Sequence, residues 1–234
     1  MKTPQRVTEV ATGIYRLSLL PGDRLNAYAV VQDRAVTLID SGLPWVSAPV
    51  LLRCLDRLGI RQSQVTQLIA THAHLDHVGG LARLQSRLHA TTLAHADEAN
   101  YIRSGQTPAF DCATPAGRWA DRLVRFGFPR AKVDVILTDR QVVEAGLEVV
   151  HTPGHTPGHV CLRHPDTGVL FVGDALYHFG ERLSWPNYAT CWNFAMAQTS
   201  ARSLAGLDFS TACFGHGPQL TVDALAAISE FVSP

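Results

Sequence analysis

The chain has 234 residues, enough to bury a substantial core as one large domain or two small ones. Hydrophobic residues make up 46% of it and charged residues 17%, which is ordinary for a globular protein and excludes a disordered one. The 20 basic and 20 acidic residues balance, and this argues against a protein that binds nucleic-acid phosphates, because such a protein normally shows a basic surplus.

The cysteines and the apolar runs bear on where the protein works. Five cysteines, scattered along the chain without a CxxC pair, are typical of reduced thiols and not of a disulfide framework. They are Cys54, Cys112, Cys161, Cys191 and Cys213. The first residues lack the apolar stretch of a secretion signal, and no apolar run approaches the roughly 20 residues of a membrane span. We therefore expect a cytoplasmic protein without a membrane partner.

Apolar periodicity divides the chain into alternating strands and helices. Two apolar runs around the polar turn 32–34 predict a hairpin over residues 26–31 and 35–39. The next predicted elements are a helix at 46–58, a strand at 65–70, a helix at 78–88 and a strand at 91–94. The later ones are helices at 96–103 and 115–126, strands at 133–137, 142–150, 160–163 and 169–172, a helix at 195–206, a strand at 211–214 and a helix at 222–232. No linker interrupts this series, so it predicts one α/β domain over residues 1–234.

A cluster of ionisable residues directly follows the predicted strand at 65–70. The stretch THAHLDHVGG contains His72, His74, Asp76 and His77 within six residues. In an extended segment, residues two apart point the same way, so His72 and His74 can reach one ion. A lone histidine is more often a packing residue, and Asp76 alone could cap a helix. Four such groups together indicate a metal site, because burying them without a cation would be costly.

Three later strand ends supply further donors of the same kind. His155 lies in the Pro/Gly-rich stretch HTPGHTPGH after one apolar run. Asp174 and His216 each end another apolar run. Each strand end alone is a weak signal. Together they predict one site at an edge of the sheets, where rigid elements hold the reactive groups.

These motifs resemble those of the metallo-β-lactamase-fold metallo-hydrolase superfamily, in its hydroxyacylglutathione hydrolase-like and lactonase-like branches. The stretch from His72 to His77 matches the HxHxDH signature of that superfamily, and the stretch Leu38-Ile39-Asp40-Ser41-Gly42 is similar to its second strand and turn. The resemblance covers essentially the whole chain. It implies an αβ/βα sandwich of two mixed β-sheets flanked by helices, with the active site at one edge.

The resemblance also implies a set of ligands for two divalent metal ions. His72, His74 and His155 would hold the first ion. Asp76, His77 and His216 would hold the second, with Asp174 bridging both. Zinc suits such nitrogen and oxygen donors, as do iron, manganese, cobalt and nickel. Asp40 would either orient a ligand through a hydrogen bond or serve as a turn residue.

Hydrolysis of a small carbonyl substrate is the activity that the resemblance implies. Two metals about 3.5–4 Å apart would share a hydroxide that attacks an ester, lactone or thioester carbonyl. Asp76 and Asp174 would serve both as ligands and in catalysis. Tyr177 matches a tyrosine of lactonases that follows the bridging aspartate by three residues, so it would donate a hydrogen bond to the developing oxyanion or simply pack at the strand end. The alternatives are a mononuclear-iron, persulfide dioxygenase-like oxidoreductase and a non-catalytic metal-binding protein.

The sequence narrows the substrate only partly. Within the resemblance, Asp76 and His77 together with Asp174 argue against β-lactam hydrolysis. The 18 residues after His216 contain no Lys or Arg that would hold glutathione. Aromatic residues in 96–130 and 177–194 would wall an apolar acyl pocket, or else belong to the core or to a homodimer contact. Among the other histidines, His151 and His159 are expected to support the loop of His155. The remaining ones are expected at the surface or in packing, with His178 alone equally expected to face the cleft: they are His89, His95, His164 and His178.

Overall fold

The computed structural model describes residues 6–110, 127–180 and 182–233, and within them two mixed β-sheets form the centre of the fold. The first sheet has seven strands in chain order: β1 (Val7–Ala11), β2 (Ile14–Leu20), β3 (Leu25–Gln32), β4 (Ala35–Ile39), β5 (Val65–Ile69), β6 (Thr91–His95) and β7 (Val135–Leu137). Its neighbours are antiparallel from β1 to β4 and parallel from β4 to β7.

The second sheet has four strands, and a separate hairpin lies beside the site. The strands are β8 (Glu148–His151), β9 (Val160–His164), β10 (Val169–Gly173) and β13 (Thr211–Phe214), arranged in the order β13-β10-β9-β8. Strands β10 and β13 are parallel, whereas β9 is antiparallel to both of its neighbours. The hairpin pairs β11 (Tyr177–Phe179) with β12 (Arg182–Ser184).

Six described helices cover the outer faces of the sheets. They are α1 (Ser47–Arg57), α2 (Leu75–Val78), α3 (Leu81–Gln85), α4 (Ala96–Ser104), α5 (Phe194–Ser203) and α6 (Ala224–Val232). Among these described helices none is both long and apolar enough to cross a membrane. The predicted helix at 115–126 lies outside the described residues. That one domain spans residues 1–234 stays a prediction.

Three apolar clusters show how the layers stack. The inner faces of the two sheets meet in one cluster, where the rings of Tyr28 and Phe171 pack edge-on at 5.2 Å. A second cluster joins the outer face of the first sheet to α1, α3 and α4. The third joins the outer face of the second sheet to α5 and α6. The predicted αβ/βα sandwich of two mixed sheets flanked by helices is therefore confirmed.

Several element boundaries differ from the sequence predictions. The predicted helix at 78–88 is two short helices, α2 and α3, separated by Gly79 and Gly80. A Cβ atom at Gly80 would lie 2.4 Å from the backbone oxygen of Ser41, and one at Gly79 would lie 2.3 Å from the ring of Pro44. The chain here packs directly on the loop after β4, an approach that only glycine allows.

Other differences concern short strands and helix ends. The strand predicted at 142–150 covers only Glu148–His151, because a 3₁₀ turn over Glu144–Gly146 precedes it. The helix predicted at 195–206 ends at Ser203 and continues as one 3₁₀ turn. Strands β1 and β2 and the β11–β12 hairpin were not predicted. The hairpin predicted at 26–31 and 35–39 is confirmed as β3 and β4.

Candidate metal centre

Strand ends from both sheets place the predicted donors at one edge of the sandwich. His72 and His74 follow β5, and α2 begins directly after His74, whose backbone is extended. Strands β8, β10 and β13 run in the same direction, because β9 is antiparallel to β8 and β10 while β10 and β13 are parallel. His155, Asp174 and His216 each follow the carboxyl end of one of these strands. The topology therefore gathers donors that are far apart in the sequence.

The loop of His155 is fixed by the start of α5. Gly154 has a φ of 132°, and a Cβ atom there would lie 2.0 Å from the backbone nitrogen of Ala197. The backbone N–H of Trp192 donates to the carbonyl of His155 at 2.9 Å. The tight turn therefore requires glycine, and it aims the imidazole of His155 into the site.

Three buried imidazole nitrogens converge without a partner. The Nε2 atoms of His72, His74 and His155 are buried, and none makes a hydrogen bond to the described residues. One ligand atom from each of the three side chains lies within 4.8 Å of the others. Burial, together with the neighbouring imidazoles, lowers the pKa of His72 and of His74 well below the ordinary value. Neutral imidazoles with lone pairs aimed at one point fit a divalent cation, which would supply the missing partner.

Asp174 lies between this group and a second one. Its Oδ1 is 3.3 Å from Nε2 of His77, and its Oδ2 is 3.3 Å from Nε2 of His216 and 3.4 Å from Nε2 of His155. Oδ2 of Asp76 lies 3.4 Å from Nε2 of His216. The structure thus brings all seven predicted donors together, with the carboxylate of Asp174 facing both groups. Their role as metal ligands stays a prediction.

The charges in this region explain the protonation of the carboxylate and of two imidazoles. Burial alone would raise the pKa of Asp174, but the imidazoles of His216 and His77 lower it well below the ordinary value. Burial would likewise lower the pKa of His77 and of His216. Asp174 reverses this effect, raising the pKa of His216 to about 8 and, with Asp40, that of His77 well above the ordinary value. A bound cation would compete with these protons for the same nitrogens.

Asp40 orients two of the imidazoles. Nδ1 of His77 donates to Oδ2 of Asp40 at 2.8 Å, which turns Nε2 of His77 toward the site. The hydroxyl of Thr71 donates to the same carboxylate at 2.8 Å and lies 3.0 Å from Nδ1 of His72. Asp40 also has a φ of 63°, so it is a turn residue as well as an orienting one. The hydrogen bonds and the turn are thus both present, while binding of metal by the oriented imidazoles stays a prediction.

His159 holds the backbone that carries Asp174. Its Nε2 accepts a hydrogen bond from the backbone N–H of Asp174 at 2.9 Å, and its Nδ1 donates to the hydroxyl of Thr152 at 2.8 Å. Burial lowers the pKa of His159 to about 3, so the ring stays neutral as these bonds require. His151 lies 3.2 Å from the carbonyl of Pro157, within the same loop. The structure therefore gives both histidines the supporting roles that were predicted.

The other histidines lie outside the centre. Nδ1 of His178 donates to the carbonyl of Pro218 at 2.8 Å, so this ring supports the loop after His216 and does not reach the cleft. Nδ1 of His95 accepts from the backbone N–H of Asp97 and caps α4. His89 is exposed and His164 is half-buried.

A cleft of about 420 Å³ opens directly onto these donors. Besides the donors, its described lining is apolar or neutral: Leu43, Leu75, Phe110, Tyr177, Phe179, Asn187 and Thr190. Tyr177 donates its hydroxyl hydrogen to Oδ2 of Asp174 at 3.1 Å, and burial raises its pKa well above the ordinary value, so the phenol keeps its proton. Of the aromatic residues considered for an acyl pocket or the core, Phe110 lines the cleft, whereas Tyr101 and Phe128 pack in the core.

Residues 20–216 match the family model described as the Metallo-beta-lactamase superfamily. The chain belongs to this superfamily. Its motif residues, from Asp40 to His216, are the ones that the structure gathers at the edge of the sandwich. The resemblance noted from the HxHxDH stretch is therefore confirmed.

Named relatives of this superfamily member include two thioester hydrolases. It is 30% identical over 181 residues to the acyl-coenzyme A thioesterase MBLAC2 of Homo sapiens, covering 72% of this chain and 63% of that protein. It is 33% identical over 172 residues to a hydroxyacylglutathione hydrolase of Rhizobium meliloti, covering 73% and 56%. The match to the protein YobT of Bacillus subtilis is 29% over 227 residues and covers 91% of both chains. The match thus spans less than two thirds of the two named thioester hydrolases.

Solved structures of superfamily members share the fold. The metallo-beta-lactamase family protein TTHA1429 of Thermus thermophilus superposes with a TM-score of 0.75 at 23% identity, over 96% of this chain and 79% of that one. At this level of sequence identity, the structural similarity supports only the fold. It agrees with the two mixed sheets and their helices.

Two contributors to this superfamily site were not predicted from the sequence. The hydroxyl of Thr71 connects the carboxylate of Asp40 to Nδ1 of His72. The sequence feature that could have indicated this role is a hydroxyl-bearing residue directly before the first histidine of the motif. Glu98 accepts from two backbone N–H groups of the donor loops. Nothing in its polar helix distinguishes it from a solvated residue.

Proposed function

We propose that the chain is a dinuclear metal-dependent hydrolase that cleaves a carbonyl ester, thioester or lactone bond of a small molecule. One observation carries the proposal: the carboxylate of Asp174 lies between three buried Nε2 atoms that make no hydrogen bond to the described residues and a second group of donors. A single ion would use only one of the two groups. The arrangement therefore favours two ions over one.

The donor set fits the proposed cofactor. It contains only imidazole nitrogens and carboxylate oxygens, which suit zinc and also accept iron, manganese, cobalt or nickel. His72, His74 and His155 would hold the first ion, and Asp76, His77 and His216 the second. Ions held there supply polarisation of a carbonyl and lower the pKa of water toward neutrality.

The protein's own residues would orient the reactants. Asp174 faces both donor groups, and His159 fixes its backbone. The phenol of Tyr177 keeps its proton and lies beside Asp174, where it can turn toward an oxygen that gains negative charge. Leu43, Phe110 and Phe179 line the approach and exclude water from an apolar group.

The cleft favours an uncharged, apolar acyl group. Among the described residues that line it, none is Lys or Arg, so the only charged groups are those of the metal centre. A volume of about 420 Å³ suits a small acyl group at the reaction centre. The thioester hydrolases among the relatives support a thioester as one member of the substrate class.

The experiment has two steps, of which the first is metal analysis of protein purified without added metal. We expect two equivalents of zinc or a similar ion. One equivalent of iron, with oxygen uptake on a persulfide, would instead establish the dioxygenase-like alternative. The second step assays an aryl ester, a thioester and a lactone that share one acyl chain.

We expect at least one of these substrates to be hydrolysed, with loss of the activity on chelation and its return with metal. The variant His89→Ala, which alters an exposed histidine, is the control and should keep both the metal content and the rate. A fully loaded protein that hydrolyses none of the three substrates overturns the proposal.

A further inference from the structure

A fully buried carboxylate outside the donor set lies next to the metal centre. Glu98 belongs to the first turn of α4 and is 0% exposed. Its Oε2 accepts a hydrogen bond from the backbone N–H of Ala73 at 2.6 Å, and its Oε1 accepts one from the backbone N–H of Gly158 at 2.6 Å. Both oxygens are therefore used by backbone donors, and neither is directed at the predicted metal positions.

The two N–H groups belong to the two loops that carry the unpartnered imidazoles. Ala73 lies between His72 and His74, and Gly158 lies in the β8–β9 loop that contains His155. The first loop follows a strand of the seven-stranded sheet, and the second joins β8 to β9 of the other sheet. One side chain thus connects the three converging donors across the two sheets.

The hydrogen bonds of Glu98 favour the ionised form of its carboxylate, whereas its burial opposes that form. Hydrogen bonds from N–H groups to a charged acceptor are shorter and stronger than neutral ones. The start of α4 adds a favourable dipole. Burial opposes this and raises the pKa of Glu98 to about 7, so the position is costly for an acid that served only to fill space.

The close approach also depends on glycine. A Cβ atom at position 158 would lie 2.9 Å from Cγ of Glu98 and 2.7 Å from Nδ1 of His95. Any larger residue would push the loop of His155 away from α4. The hydrogen bond between Glu98 and Gly158 is therefore possible because residue 158 has no side chain.

We propose that Glu98 is a positioning residue of the metal centre, which holds the His72–His74 segment and the His155 loop at a fixed separation before any metal binds. The inference rests on the proposed metal centre, since it concerns the placement of its donors. Glu98 would contact neither the ions nor the substrate, because both of its oxygens accept from backbone N–H groups. Its effect would be on metal affinity, through the preorganisation of three ligands.

The test replaces Glu98 with glutamine, which has the same shape but only one acceptor oxygen. Its amide group would face one of the two N–H donors, so one loop would lose its bond. We expect the affinity for the first zinc ion, measured by competition with a chromophoric chelator, to fall about 10- to 100-fold. The control is Asp97→Asn, on the same helical turn with a side chain that is 58% exposed, which should stay within about twofold of the parent.

The outcomes separate this inference from the proposed function. If the parent protein itself binds no zinc, the proposed metal centre fails. If the parent binds zinc and Glu98→Gln binds it with the same affinity, the positioning role is overturned. A purely structural role would lower the melting temperature of the metal-free variant without changing its affinity once folded.

A second measurement does not depend on the folding of any variant. Hydrogen exchange of the parent protein, stripped of metal by a chelator, reports on the amides of Ala73 and Gly158 directly. We expect both amides to be protected, because Glu98 holds them without metal. Exchange at the rate of exposed loop amides would overturn the inference.

Discussion

Oδ2 of Asp40 accepts a hydrogen bond from Nδ1 of His77 at 2.8 Å. This bond assigns the proton of the ring to Nδ1 and leaves Nε2 facing Asp174, 3.3 Å away. The same carboxylate reaches His72 through the hydroxyl of Thr71. One carboxylate thus sets the orientation of one imidazole from each predicted metal group.

Asp40→Asn tests this orienting role separately from the turn. Asparagine tolerates the φ of 63° as well as aspartate does, so the backbone should stay intact while the charge is lost. We expect the affinity for metal to fall about 10- to 100-fold with little change in the melting temperature. The matched control is Asp33→Asn, another aspartate with positive φ, which is exposed in the β3–β4 turn. Equal affinities for the two variants would show that Asp40 serves only the turn.

Removing a donor of the first group should leave the first predicted metal position without its ion. His72→Ala takes away a fully buried imidazole whose Nε2 has no other described partner. We expect the zinc content to fall by about one equivalent and hydrolysis to be lost. The reason is that neither of the two remaining imidazoles can replace the coordination bond that His72 would supply. Metal analysis after dialysis measures the content. Full occupancy in His72→Ala would remove this residue from the ligand set.

Asp174 should matter for both metal positions. Its Oδ2 lies 3.4 Å from Nε2 of His155 in the first group and 3.3 Å from Nε2 of His216 in the second. Asp174→Ala would therefore remove the carboxylate shared by both groups and leave these imidazoles without a counter-charge. We expect a rate loss of several orders of magnitude, even in protein that retains one ion. Steady-state kinetics with metal analysis of the same sample gives both quantities. A rate within about tenfold of the parent would show that this carboxylate does not bridge.

The ring of His159 makes the stability of the fold depend on pH. In the fold its pKa is lowered to about 3, whereas in the unfolded chain it titrates near 6.5. Below pH 6.5 the unfolded state takes up a proton that the folded ring refuses, so the stabilisation is complete above 6.5 and declines as the pH falls toward 3. The bond from the N–H of Asp174 requires this neutral ring.

The measurement compares the parent with His159→Gln, whose amide does not titrate in this range. We expect the difference between their free energies of unfolding, measured in urea with a chelator present, to shrink steadily from pH 7.5 to pH 4.5. Using the difference cancels the titration of groups common to both proteins. A difference that stays constant over this range would contradict the assignment.

Much of the fold and of the site follows from local sequence patterns. The helical spacing of Ala48, Leu51 and Leu55 predicted α1, and these residues are buried against the first sheet. The predicted donors come together because each follows a strand, and strand direction brings the ends to one edge. Such patterns are readable because each element buries one face by itself.

The parts that were not predicted depend on contacts between distant residues. Glu98 bonds to positions 25 and 60 residues away along the chain, so its sequence neighbours give no sign of its burial. Gly79 and Gly80 divide a predicted helix because the loop after β4 packs against them. The hairpin of β11 and β12 has three residues in each strand, which is too short for alternation to show.

Two roles were considered for Tyr177: hydrogen-bond donation to a developing oxyanion, and packing at the strand end. Its hydroxyl donates to Asp174 at 3.1 Å and its ring lines the cleft, and a part for the hydroxyl in catalysis stays a prediction. Tyr177→Phe keeps the ring and removes only the donor. We expect kcat for a good lactone or ester to fall, by about 10²–10³-fold if the phenol is a preorganised oxyanion donor, with metal content and melting temperature unchanged. Phe179→Leu, which alters a neighbouring lining ring without a hydroxyl, is the control. It should change KM more than kcat, because the ring lies beside Tyr177 and His216 but offers no hydrogen-bond donor. Equal kcat values for the parent and Tyr177→Phe would assign the tyrosine to packing, and its match to the tyrosine of lactonases would then give no support to a lactone substrate.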